Sequence, residues 1–129
     1  MKDLQLKRKD NEEVFVTKEL GWKYHHIGIP TQFPIKNERY IPHLKMYVSG
    51  FETSPFGIEW MRFEENCPFP EVIKTLSHIA FEVKDLDATL RNSDYDILIP
   101  PNSPSDEVRI AMILHNNAPV ELMEFNTKN

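Results

Sequence analysis

Four residues of metal-holding and proton-moving type recur in this chain in one order. His26 opens the run His26-Ile27-Gly28-Ile29, and His78 opens His78-Ile79-Ala80-Phe81. Both runs read His, Ile, small, apolar. Further along, Glu59-Trp60-Met61-Arg62-Phe63 is matched by Glu121-Leu122-Met123-Glu124-Phe125, both of the form Glu-x-Met-x-Phe. Two imidazoles and two carboxylates facing one cleft suit a divalent first-row ion such as zinc, nickel, manganese or iron. The carboxylates would balance the charge of the ion, and coordination positions would be left for water or substrate.

The elements that must position these residues are strands. Strand side chains alternate between faces, so His26 shares a face with Gly28, opposite Ile27 and Ile29. His78 shares a face with Ala80, opposite Ile79, Phe81 and Val83. Each histidine projects from a strand whose other face is apolar, and its small neighbour leaves room above the sheet. Glu59 lies in phase with Met61 and Phe63, and Glu121 with Met123 and Phe125. A mid-strand carboxylate among large apolar groups is costly to bury unless a cation or hydrogen-bond donors satisfy it. Singly, each His or Glu reads as a structural or rim residue; their recurrence argues for a shared centre. Met61, Phe63, Met123 and Phe125 are expected as cleft wall and substrate-binding residues. His43 and Tyr47, on one face of a strand expected at 43–48, join them as substrate-binding candidates.

The repeat divides the chain. An N-terminal extension (1–21) precedes module one (22–66), and a linker (67–74) leads to module two (75–129). Strands are expected at 24–29, 43–48 and 57–63 in module one. In module two they are expected at 78–83, 95–99, 108–114 and 120–125, with a helix at 85–90 that begins at an N-cap aspartate, Asp85. Asn116-Asn117 supplies the last turn. Module two therefore reads βαβββ. In module one, Pro30, Pro34 and Pro42 break the region where the helix should lie.

The segments His26-Ile27-Gly28-Ile29, Ile58-Glu59, His78 to Leu86 and Val120 to Glu124 resemble the four signature strands of the glyoxalase/bleomycin-resistance/dioxygenase family, also called the vicinal oxygen chelate superfamily. The resemblance spans roughly residues 24–127. It implies an α+β fold of two βαβββ modules forming a U-shaped cleft, here with the first helix shortened or missing. It implies His26, Glu59, His78 and Glu121 as ligands of a divalent metal ion. The implied activity is that of a glyoxalase-like lyase or isomerase on a small oxygenated acid or aldehyde, through an enediolate-type intermediate. The metal would act as Lewis acid, and Glu59 or Glu121 as catalytic base. The alternative is a non-catalytic, resistance-type binding protein of the same fold. An iron dioxygenase ranks lower, because a second glutamate would fill a position that such a site keeps open.

Composition sets the remaining bounds. With 129 residues and a 40% hydrophobic share, one ordinary globular domain is expected. The single cysteine, Cys67, precludes an intramolecular disulfide and fits a reducing compartment. No apolar run approaches the roughly 18 residues of a membrane span, and the N-terminus lacks a signal-peptide core, so a cytoplasmic protein is expected. A net charge of −5 argues against nucleic acid as partner. The expected partner is a small-molecule substrate, with no membrane, for a monomer or homodimer. Lys7-Arg8-Lys9 runs into Asp10, Glu12 and Glu13 and reads as solvated surface. His25, His115 and Arg109 are expected at surface or structural positions, and 100–105 as a stiff loop. Cys67 has no base nearby in sequence and is not read as a nucleophile.

Overall fold

The computed structural model describes residues 4, 6–9 and 12–126. In chain order the elements are α1 (Phe15–Leu20), β1 (Lys23–Pro30), β2 (Arg39–Ile41), β3 (Met46–Ser49), β4 (Ile58–Phe63) and α2 (Glu71–Thr75). Then follow β5 (His78–Glu82), α3 (Leu86–Arg91), β6 (Asp96–Ser105), β7 (Val108–His115) and β8 (Ala118–Phe125). The strands form one sheet in the order β2-β3-β4-β1-β5-β8-β7-β6. Each half pairs its first strand with its last in parallel, β1 with β4 and β5 with β8, and the antiparallel pair β1–β5 joins the halves. The fold is α+β, a pair of modules about a cleft. Module two is βαβββ, and residues 31–38 of module one contain turns where a helix would stand.

The sheet curls. Laid flat, eight strands spaced about 4.8 Å apart would hold the two edges roughly 33 Å from each other. Yet Ile41 of β2 and Ile99 of β6, at opposite edges, line one cavity. The histidine-bearing face is the concave one. Behind it, Phe81, Val83, Ala111, Ile113 and Leu122 form a core with Trp22 and with Leu86 of α3. Asp85 caps α3, its Oδ1 accepting from the Ala88 N–H at 3.0 Å. That satisfies a donor the helix cannot pair internally.

Several elements differ from the sequence expectation. The N-terminal extension contains α1, whose Val16 packs on the core beside Trp22. The linker contains α2, which buries Ile73. The strand expected from His43 begins at Met46, because 42–45 form a turn with Lys45 at φ 53°. Residues 100–105, expected as a loop, belong to β6. Pro100, Pro101 and Pro104 are tolerated there because β6 is an edge strand, whose outer N–H groups need no partner. Asn116 and Asn117 both take positive φ, 49° and 67°, as a tight hairpin between β7 and β8 requires.

Candidate metal centre

The two central strands set the centre. Ile27 pairs with Ile79, and on either side His26 pairs with Ala80 and Gly28 with His78. The histidines are therefore diagonal neighbours across the seam, each facing a small residue. Their rings lie 5.4 Å apart at 79°. The outer neighbours repeat the arrangement, since Gly28 pairs with Glu59 and Ala80 with Glu121. In each half the carboxylate is registered against the residue two positions after the histidine. That identity of register is the structural form of the sequence repeat.

The side chains converge. His78 Nε2 lies 2.9 Å from Glu121 Oε1, and His26 Nε2 lies 3.4 Å from the same oxygen. Glu59 Oε1 lies 3.5 Å from His26 Nε2. His26, His78 and Glu121 are buried, and ligand atoms of all three fall within 4.8 Å of one another. Glu59 joins this group through His26 and is more open, with 25% of its side chain exposed.

A metal ion fits this group. His26 Nε2 is buried without a hydrogen-bond partner, an arrangement that costs free energy unless something else satisfies it. Two ligand atoms about 2.0–2.1 Å from one ion stand about 3 Å apart at a right angle and about 3.4 Å apart at the tetrahedral angle. The observed separations lie close to those values. The buried His-His-Glu group can therefore hold an ion, with Glu59 beside it.

Electrostatics separates the two carboxylates. Burial alone would push the Glu121 carboxyl up, but the imidazoles of His26 and His78 set against it, with their charges, outweigh it and hold it at about 2. Burial raises Glu59, the charge of Glu121 adds to the rise, and His26 and His78 offset only part of it. Burial would lower His26, yet the Glu121 carboxylate oxygen beside its Nε2 and the charges of Glu121 and Glu59 raise it. His25 is lowered by burial and by His26.

His25 belongs to the site, against the expectation of a surface or structural residue. Tyr24 pairs with Phe81 and His26 with Ala80, so His25 is an extra residue in β1, a β-bulge. Its ring stacks on Phe51 at 4.7 Å and on Phe125 at 5.3 Å. Its Nδ1 lies 2.7 Å from His26 Nδ1. The only sequence signal was the doublet His25-His26, and strict alternation assigns just one of two adjacent residues to a face.

A cavity of about 430 Å³ opens in front of the group. His78, Glu121 and Glu59 reach it, and Met46, Met61, Ile73, Ile110, Met112 and Met123 supply much of its apolar wall. Among the substrate-binding candidates, Met61, Met123 and Phe125 line it, and three others stand elsewhere. His43 is exposed in the 42–45 turn. Tyr47 pairs with Arg62 on the opposite sheet face, with the guanidinium 4.0 Å from its ring centre. Phe63 packs edge-on against Phe69 at 6.3 Å, outside the cavity lining. Arg109 also lies behind the sheet, where both its NH groups donate to Asp87 at 3.1 Å. His115 is exposed and Cys67 buried. Among the described residues no helix is long and apolar enough to cross a membrane.

No family model and no curated protein matches the chain. Solved structures do. A hypothetical protein from Bacillus halodurans C-125 is 16% identical with a TM-score of 0.62, the match covering 84% of this chain and 97% of that one. Methylmalonyl-CoA epimerase from Mycobacterium tuberculosis is also 16% identical, with a TM-score of 0.57 and coverage of 81% and 89%. The chain thus shares its fold with an epimerase, and at the middle of that fold it sets His26, His78 and Glu121.

Proposed function

We propose that this protein is a divalent-metal-dependent isomerase or lyase of the vicinal oxygen chelate superfamily. Its substrate on this reading is a small oxygenated acid or aldehyde with an apolar body. The observation that carries the proposal is the buried His26-His78-Glu121 group, with the unpartnered Nε2 of His26 in it, at an apolar cavity. The fold shared with an epimerase supports isomerase chemistry.

His26, His78 and Glu121 would hold the ion, with Glu59 as a fourth, looser donor. A bound ion would supply Lewis-acid polarisation of a substrate carbonyl. Glu59 is the better base of the two glutamates. It is half-buried beside the cavity, touches the group only through His26, and its carboxyl is raised toward the working range. Glu121 contacts both histidines and is held at about 2, which makes it a firm anchor and a weak base. Glu59 would take a proton from the carbon beside the carbonyl and return it. The methionine-rich wall would bind the apolar body and keep water from the reacting carbon.

The test begins with metal content, measured by mass spectrometry on protein purified without chelators or a His-tag. About one transition-metal ion per chain is expected. The loaded protein is then incubated in deuterated water with 2-oxo acids, 2-hydroxy acids and aldehydes of increasing chain length. Deuterium is expected at the carbon beside the carbonyl, fastest for the longer chains. No uptake of zinc, nickel, manganese or iron would sink the metalloenzyme reading and leave the non-catalytic binding protein.

A further inference from the structure

We infer that His25 is a positioning residue that accepts the Nδ1 proton of His26 when an ion is bound, so that His26 offers the ion a bare Nε2 beside Glu121 and Glu59. The inference rests on the metal-centre reading above for its consequence, and on the geometry of the histidine pair for its substance.

The bulge in β1 is what makes the contact. Two adjacent residues of a regular strand point to opposite faces. The extra residue at His25 breaks that alternation and brings both rings to one side. Phe51, from the turn between β3 and β4, lies almost parallel to the His25 ring at 6°, and Phe125 of β8 stacks on it at 29°. Held in this way, His25 presents Nδ1 to His26 Nδ1 at 2.7 Å. Only one proton fits between two nitrogens at that distance, so one ring donates and the other accepts.

With an ion bound, the other side of His26 decides the direction. Its Nε2 is buried, lacks a hydrogen-bond partner and stands 3.4 Å and 3.5 Å from two carboxylate oxygens. If His25 donated, a neutral His26 would carry its proton on Nε2 and would be closed to an ion. If His26 donates, Nε2 keeps its lone pair and becomes a ligand. Partners behind a metal-bound histidine commonly fix its tautomer in this way, and a carboxylate or backbone carbonyl is the usual acceptor. Here a neutral imidazole takes that place.

Two substitutions separate acceptor from packing. His25→Phe keeps an aromatic ring between Phe51 and Phe125 and removes the acceptor. His25→Asn removes the ring and leaves an amide oxygen near the position of Nδ1. Zinc affinity, measured by chelator competition, is expected to fall about 10- to 100-fold in His25→Phe and clearly less in His25→Asn. Unchanged affinity in His25→Phe, or an equal loss in both, would overturn the inference. The ring-nitrogen spectrum of the zinc-loaded, ¹⁵N-histidine-labelled wild type gives a second readout that needs no variant to fold. Expected are a protonated His26 Nδ1, a bare His25 Nδ1 and a coupling across the bond between them. A protonated His25 Nδ1 would overturn the inference. Should the wild type take up no zinc, the metal reading fails, and the spectrum of the metal-free protein still tests the histidine pair, because the absence of any coupling across the Nδ1–Nδ1 contact would overturn it.

Discussion

The His78 imidazole lies against the backbone of Gly28: a Cβ on that glycine would stand 2.2 Å from the ring's Cε1 and 2.7 Å from its Nε2. The two cannot coexist without movement. Gly28 is opposite His78 in the sheet, so its missing side chain is what lets the ring cross the seam toward Glu121. Gly28→Ala is expected to displace the ring and weaken zinc binding by about tenfold or more. Zinc titration of the folded variant, with circular dichroism as the folding control, checks this. Wild-type affinity would mean that His78 is not a ligand.

Glu121 and Glu59 are expected to fail differently. Glu121→Gln removes the charge against which both histidines sit, and metal uptake should be abolished or nearly so. Glu59→Gln should retain most of the uptake and lose proton exchange, by about 10²- to 10⁴-fold for a general base. Metal content and deuterium incorporation, measured on the same samples, separate the two. Equal loss of metal in both variants would contradict the division of roles.

The metal-free protein should respond to pH on both sides. The Glu121 carboxyl is held at about 2, against an ordinary value of 4.5. Its stabilisation is complete above 4.5 and lost as pH falls through about 2. His26 is raised above 6.5, so its contribution is complete below 6.5 and lost as pH climbs through the raised value. Urea unfolding of metal-free protein should show greatest stability between these limits. Zinc needs His26 deprotonated at Nε2, so its affinity should rise with pH from 6.5 upward and its binding should release protons. A zinc affinity flat across that range would contradict the His26 assignment.

Leu122 stands next to Glu121 and faces the other way, fully buried in the core behind the sheet. Leu122→Ala should cost about 2–5 kcal/mol of stability through the cavity it leaves. Zinc affinity should change little wherever the variant is folded. A large loss of affinity in folded protein would show that the core behind the sheet controls the centre in front of it.

The sequence was most legible where period-two alternation met a repeat. His26, His78, Glu59 and Glu121 could be placed on one face because each lies in an apolar strand with its phase marked, and the structure brings His26, His78 and Glu121 together. What alternation could not show was its own interruption. The bulge at His25 depends on pairing with β5, a partner distant in sequence, and leaves no local mark. His43 falls in the turn before β3, and for Tyr47 alternation marks two faces without saying which one meets the cavity. The face of Met46 and Val48, opposite to that of Tyr47, lines the cavity. The prolines of β6 read as loop because edge position, which tolerates them, is a property of the sheet. Helices α1 and α2 span only 6 and 5 residues, too few for a helical period to declare itself.

The seam between β1 and β5 also sets an order of events during synthesis. A chain that has released only its first half offers one imidazole and one carboxylate of the centre, too few to grip an ion. The rest arrives with β5 and β8, and His78 and Glu121 are themselves 43 residues apart. Contacts this remote in sequence close late, after the entropy of long loops has been overcome. An ion would therefore meet a finished binding site only once both halves had docked. By binding the docked form alone it would hold that form shut by mass action, as a lock on completed folding rather than its seed.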